Sequence, residues 1–314
     1  MAGLLLLFPG QGSQSEGMAE YLWDYPLARA VFAEAGDVLG WDVGELCRHG
    51  SMEELTRTDR TQPAVLTCSV AVWRLMEERG ASFSVAAGHS LGEYSALVAT
   101  GHLDFADALR VVEQRGRAML ACGEEKGGAM AAIIGLDAEV AEQICASLSD
   151  VWLANYNSPG QIVISGSVES VAAAGRLAEA RGAKRVVPLP VSGAFHTPYM
   201  AGAAEALAVA LAQVEFHPGR GDRRFYSTTE MRYPEVEELA GVMARQLMSP
   251  VRFAPSLEKL LRSSEAPDRG LEVGPGNVLS GLVKRIARDF AVATTGDAES
   301  LRQAVDGVAA GSDG

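Results

Sequence analysis

Ser90 lies in Gly88-His89-Ser90-Leu91-Gly92, a Gly-x-Ser-x-Gly pentapeptide between a short apolar run, Ser84 to Ala87, and a helical pattern. Small residues two before and two after a serine let a strained strand-to-helix turn close, with the hydroxyl exposed at the helix start. There the helix dipole and the backbone N–H of Leu91 favour an oxyanion beside the serine, as acyl transfer requires. Alone the pentapeptide is weak, because a chain with 34 glycines produces it by chance; its strand-to-helix setting gives it weight. A serine nucleophile also needs a base. The histidines are His49, His89, His102, His196 and His217. His89, next to the serine in an elbow, should point away from it and reads as packing and orientation. His196 is better placed, in the loop Ser192-Gly193-Ala194-Phe195-His196-Thr197-Pro198, because loops at domain junctions line clefts. Position alone leaves a structural role open for each of the five.

Phe105, Ala108, Val112, Arg115 and Met119 recur at spacings of three and four after Asp104, a plausible helix N-cap with Asp107 three residues on. The Arg115 guanidinium therefore falls on the apolar face, while Arg110, Glu113, Gln114 and Arg117 hold the wet one. Burying a permanent cation without a partner is costly, so Arg115 requires a carboxylate. That partner is either an internal Asp or Glu or, beside a serine nucleophile, the carboxylate of a substrate held bidentately.

These residues need a frame. Leu4 to Phe8 is a continuous apolar run closed by Pro9 and Gly10, the pattern of a strand buried on both faces in a parallel sheet. Helical patterns come next over about 26–40 and 63–79, then the strand that feeds the elbow. Strands alternating with helices predict an α/β fold, here a large α/β-hydrolase-like domain with a parallel sheet core. From 127 to 190 the rhythm becomes strand (129–134), helix (138–147), strand (151–156), strand (161–165), helix (168–181), strand (184–190). That βαββαβ order is the ferredoxin-like split unit. The expected division is 1–126 plus 191–314 as the large catalytic domain and 127–190 as a small inserted subdomain. Helices are expected over 200–213, 236–247 and 254–263, then a strand-turn-helix from Leu271 through Gly276 into Val278 to Arg288, with a tail that frays from about 303.

Phe8-Pro9-Gly10-Gln11-Gly12-Ser13-Gln14 invites a phosphate-loop reading, yet it has neither the Lys-Ser/Thr of a P-loop nor the third glycine of a dinucleotide fingerprint. A glycine-rich turn after the first strand can instead bring a backbone N–H, that of Gln11, to the mouth of the sheet as the second oxyanion donor. Bulk properties narrow the class. Hydrophobic residues at 48% and charged residues at 21% are those of a globular domain. A net charge of −13 argues against nucleic-acid binding. Two basic patches, Lys184 with Arg185 and Lys284 with Arg285 and Arg288, could still meet a phosphate or an acidic protein. Cys47, Cys68, Cys122 and Cys145 have no Cys-x-x-Cys spacing, so neither a disulfide framework nor a metal site is expected. With no signal-peptide core and no apolar stretch of bilayer length, the expected location is cytoplasmic, away from membranes.

Seven stretches, taken together and in order, resemble the malonyl-CoA:acyl carrier protein transacylase family, which includes the acyltransferase domains of fatty acid and polyketide synthases. They are Phe8 to Gln14, Thr61-Gln62-Pro63-Ala64, Gly88 to Ala96, Gln114-Arg115-Gly116, Asn155 to Gln161, Gly193-Ala194-Phe195-His196, and Glu272-Val273-Gly274-Pro275-Gly276. The resemblance runs from about residue 4 to residue 288. It implies Ser90 as nucleophile, His196 as base and then acid, Arg115 as carboxylate anchor, and an oxyanion hole from the N–H groups of Gln11 and Leu91. It also implies that a backbone carbonyl at Gln246 orients the histidine, so that no third acid is required. Gln62 resembles a pocket-lining residue; Asn157 and Arg185 resemble positions near the pantetheine or CoA mouth, and Met119 joins the substrate pocket. Phe195 before His196 resembles members that take malonyl, its bulk crowding an α-methyl branch. The reaction implied by the resemblance is ping-pong transfer of malonyl from malonyl-CoA to the phosphopantetheine thiol of acyl carrier protein, without cofactor or metal, by a chain that is monomeric by default. Fatty acid synthesis is the favoured setting. A trans-acting polyketide acyltransferase or an acyl hydrolase on the same scaffold is the alternative, and a non-catalytic carrier-protein docking subunit is a rival from another class.

Overall fold

The computed structural model describes residues 3–191 and 193–311. In chain order the large body begins with β1 (Leu4–Phe8), α1 (Pro26–Leu39), α2 (Val43–His49), α3 (Met52–Thr56), α4 (Thr58–Glu78), β2 (Val85–Gly88), α5 (Gly92–Thr100) and α6 (Phe105–Lys126). The insert is built from β3 (Ala129–Ile134), α7 (Ala138–Ala146), β4 (Val151–Ser158), β5 (Gln161–Gly166), α8 (Val168–Ala180) and β6 (Arg185–Pro188). The large body resumes with α9 (Ala201–Leu211), β7 (Arg224–Tyr226), α10 (Leu239–Gln246), α11 (Phe253–Leu261), β8 (Arg269–Glu272), α12 (Val278–Ile286), β9 (Val292–Thr294) and α13 (Ala298–Gly311).

The large sheet has the order β7-β2-β1-β8-β9, and every pairing in it is parallel. Central β1 is buried on both faces, as a run of five apolar residues demands: Leu6 and Phe8 enter one core, Leu5 and Leu7 the other. The small sheet has the order β4-β5-β3-β6, antiparallel throughout. This is the ferredoxin-like arrangement expected of βαββαβ. Alternation along β3 splits its burial: Ala131 and Ile133 meet α7 and α8, while Met130 and Ala132 join the main core. The small sheet is thus covered on both sides. Its edge strand β4 is also fastened to the chain just beyond α10, where Tyr156 donates its N–H to the Val251 carbonyl (2.8 Å) and Val251 donates to Ala154 (2.8 Å).

Several elements depart from sequence expectation. Strands β7 and β9, three residues each, were not anticipated, because neither is long enough to show a period. Helix α4 begins at Thr58, five residues before the expected start, and carries Pro63 inside it. The segment expected as a helix over 236–247 opens as a 3-10 turn, Val236–Glu238, before α10. Asp104 stands at the N-cap of α6 but its side chain makes no capping bond. The tail is helical as α13 through Gly311, pinned by the buried Leu301. Ser192, named in the His196 loop, lies outside the described residues.

Candidate active site

The turn from β2 into α5 explains its own glycines. A Cβ on Gly88 would overlap the backbone of Gly92 and Glu93, and one on Gly92 would overlap the Phe8 carbonyl. Between them Ser90 is forced into the left-handed region at φ 52°. His196 shares that region at φ 60°, and only two other described non-glycine residues do, Asp150 and Met231. Backbone strain of this kind persists only where the surroundings over-determine it, and here it falls on both predicted reactive residues.

The two side chains meet: Ser90 Oγ and His196 Nε2 are 2.9 Å apart. On its other nitrogen His196 faces two backbone carbonyls, Gln246 O at 3.0 Å and Ser249 O at 3.1 Å. Carbonyls only accept, so Nδ1 carries the proton and Nε2 presents its lone pair to the serine. Burial, then the nearby Arg115 charge, push the His196 pKa down to about 3 against the pull of those carbonyls. The imidazole is accordingly neutral at ordinary pH. The carbonyl at Gln246 thus lies where the resemblance puts it, and that of Ser249 stands beside it.

Arg115 reaches this pair because α6 lies close on α4; a Cβ on Gly116 would come within 2.8 Å of the Thr58 carbonyl. Only 1% exposed, its guanidinium donates to Gln62 Oε1 (2.6 Å), Gln246 Oε1 (2.9 Å) and Ser90 Oγ (2.9 Å), and lies 5.6 Å from the Tyr94 ring centroid. Among the described residues no carboxylate comes within ion-pair distance of it. Of the two partners open to Arg115 in the sequence, the internal acid is therefore missing. Ser90 Oγ accepts from Arg115 while it donates to His196, a geometry consistent with the tautomer above.

Other predicted residues are distributed around this centre. Gln62 donates to Met119 Sδ (3.3 Å), so both line the guanidinium's surroundings. Leu91 is buried within the elbow, directly after Ser90, and the Gly10 turn presses on the start of that elbow: a Cβ on Gly10 would overlap the His89 carbonyl. Gln11 ties its side chain to Thr58 Oγ1 at 3.2 Å. His89 turns away from the serine, as expected, and bonds Asn157 Oδ1 of β4 at 2.8 Å. Phe195 is buried in the main core against Gly193. Arg185 is not gathered into the cluster; it stands exposed on edge strand β6.

Sequence reasoning missed Glu93. It is wholly buried on α5, and its Oε1 accepts from the N–H groups of Thr228 (2.6 Å) and Thr229 (3.2 Å) while Oε2 accepts from Gln246 Nε2 (2.7 Å). An acid that is the sole charged residue of its helix was the available clue, close to the one that exposed Arg115. Thr228, 135 residues away in sequence, left none.

The family profile described as acyl transferase domain matches residues 5–304. The chain belongs to the acyl transferase family. Within that family it is 41% identical over 312 residues to the malonyl CoA-acyl carrier protein transacylase of Escherichia coli (strain K12), covering 98% of this chain and 100% of that one. It is 42% identical over 311 residues to the protein of the same name from Bacillus subtilis (strain 168), covering 97% of each. Among solved structures, a malonyl-transacylase in complex with its type II PKS acyl-carrier protein superposes with a TM-score of 0.93 at 42% identity, over 98% of this acyltransferase and 100% of that chain. The malonyl CoA-acyl carrier protein transacylase of Coxiella burnetii gives 0.92 at 36% identity over 98% of each.

Proposed function

We propose that this acyltransferase moves a malonyl group from malonyl-CoA to the phosphopantetheine thiol of an acyl carrier protein, through a malonyl ester on Ser90. The observation that carries the reading is Arg115: a buried guanidinium bonded to the nucleophile and lacking a described acidic partner. A diacid thioester supplies what it lacks, and its carboxylate fixes the reacting carbonyl over Ser90.

In the first half-reaction His196 Nε2 takes the Ser90 proton as Oγ bonds the thioester carbon. The oxyanion is held by the N–H groups of Gln11 and Leu91, the C–S bond breaks, and the proton passes from His196 to the leaving sulfur. A carrier-protein thiol then runs the same steps in reverse. The malonyl carboxylate also offsets the Arg115 charge that depresses the imidazole. His196 thus becomes a stronger base when the right substrate is in place.

A groove of about 620 Å³ leads away from His196 between Trp152, Tyr156, Pro198, Met248 and Pro250, an apolar slot suited to a pantetheine arm. Asn157, held by His89, is assigned to the pantetheine side of the site and Phe195 to the rejection of an α-methyl branch, whereas Arg185, on β6 at the opposite edge of the small sheet from β4, does not border this groove. Residues 127–190 form the small subdomain that walls the slot. Lys284, Arg285 and Arg288 give the otherwise acidic surface a basic landing for the carrier protein, beside the insert where Arg285 bonds Gln161. All four cysteines are free and buried, as suits a reducing cytoplasm.

Intact-protein mass spectrometry after brief mixing with malonyl-CoA, acetyl-CoA and methylmalonyl-CoA tests this. A malonyl mass should appear, be lost in Ser90→Ala, and pass to holo carrier protein faster than to water. Faster passage to water would make the chain a hydrolase.

A further inference from the structure

The Arg115 cation still has to be balanced inside the protein when no diacid is bound, and its three acceptors, Gln62, Gln246 and Ser90, are all neutral. The nearest buried negative group lies one carboxamide further on. Gln246 accepts from Arg115 Nη2 through Oε1 (2.9 Å), and through Nε2 it donates both to Glu93 Oε2 (2.7 Å) and to the Ser90 carbonyl (3.0 Å). The opposite amide orientation would set an NH2 group against a guanidinium and an oxygen against a carboxylate, so the charges at its two ends fix it. On its far side Glu93 is held by N–H groups of the Thr228 turn, which can only donate.

We propose that Glu93 is a positioning residue: the counter-charge of Arg115, delivered through the Gln246 carboxamide rather than by contact. This rests on the malonyl-transfer reading above. A direct ion pair would satisfy the guanidinium and compete with the substrate carboxylate. With the charge one amide away, the cation is stabilised through the low-dielectric interior, yet its donors remain exchangeable for a diacid. The same amide belongs to the residue whose backbone carbonyl orients His196, so one side chain and its own main chain set the anchor and the base together.

Two variants test the role. In Glu93→Gln the new NH2 faces Gln246 Nε2, which turns the Gln246 amide around and presents a donor to Arg115. Its malonyl-over-acetyl preference in kcat/KM should fall at least tenfold, mostly through a higher KM for malonyl-CoA, with acetyl transfer largely kept. In Glu93→Gln/Gln246→Glu the carboxylate moves into contact with Arg115, and the KM for malonyl-CoA should again rise at least tenfold. General destabilisation would lower both acyl transfers together and leave the preference in place. An unchanged preference in folded Glu93→Gln, or a wild-type malonyl KM in the double variant, overturns the inference while leaving the proposed activity intact. Absence of a malonyl ester on Ser90 in the wild-type protein removes both.

Discussion

At the scale of single residues, the chemistry depends on donors and acceptors whose roles are fixed by what stands behind them. Arg115→Ala removes two charge-assisted contacts of about 1.5–3 kcal/mol each, so malonyl transfer should drop on the order of a hundredfold or more. Acetyl transfer should persist or rise, because the buried cation that disfavours a neutral acyl group is gone. Competition between the two thioesters measures this, and an unaltered ratio would sink the anchor role. His196→Ala should cut kcat by roughly 10²–10⁴, the usual worth of a positioned base. Arg115 was readable from helical spacing alone, since three-and-four periodicity put a cation on a greasy face. Gln246 was reached only through family resemblance, since its backbone carbonyl is a group every residue owns. Glu93 could have been found by the Arg115 logic; its partners on the Thr228 turn could not, since nothing local ties residue 93 to residue 228.

At the scale of elements, close approach explains most of the small residues. Gly92→Ala would drive a methyl into the Phe8 carbonyl and separate α5 from β1, so it should abolish or strongly lower the yield of folded protein. Gly281→Ala is the matched control: nothing lies within 4 Å of its added methyl on α12, and thermal unfolding should show a stabilisation of up to about 1 kcal/mol. If both substitutions prove neutral, the elbow is not packed as described. The long elements and the βαββαβ insert were legible because periodicity accumulates over a dozen residues. Edge strands β7 and β9 take their identity from the neighbours they pair with, β2 and β8. The early start of α4 was hidden because a proline inside a helix reads as a first-turn residue.

At the scale of the whole molecule, buried imidazoles link the active site to stability. The His196 pKa lies at about 3 in the fold, against 6.5 for the free side chain, and burial lowers those of His89 and His102 too. The unfolded chain therefore takes up protons first as pH falls. The stability His196 contributes is complete above about pH 6.5 and is lost progressively from there toward pH 3. Glu93 and Glu272, raised by burial, pull the other way, so the informative quantity is a difference. Between pH 7 and 5 the melting temperature of wild type should fall more steeply than that of His196→Gln; parallel curves would contradict the buried neutral imidazole.

Strand β4 has a mechanical meaning. It is bonded at Ala154 and Tyr156 to Val251, two residues beyond the Ser249 carbonyl that accepts from His196, and at Asn157 to the His89 that precedes Ser90. A wall stitched at both places cannot swing wide without tilting the imidazole or dragging the elbow, and either movement would break the Ser90–His196 contact. The cleft works as a keyway rather than a jaw. With the wall fixed in this way, the parts expected to move during transfer are the pliant thiol-bearing arms of the substrates, which would enter and leave a standing groove.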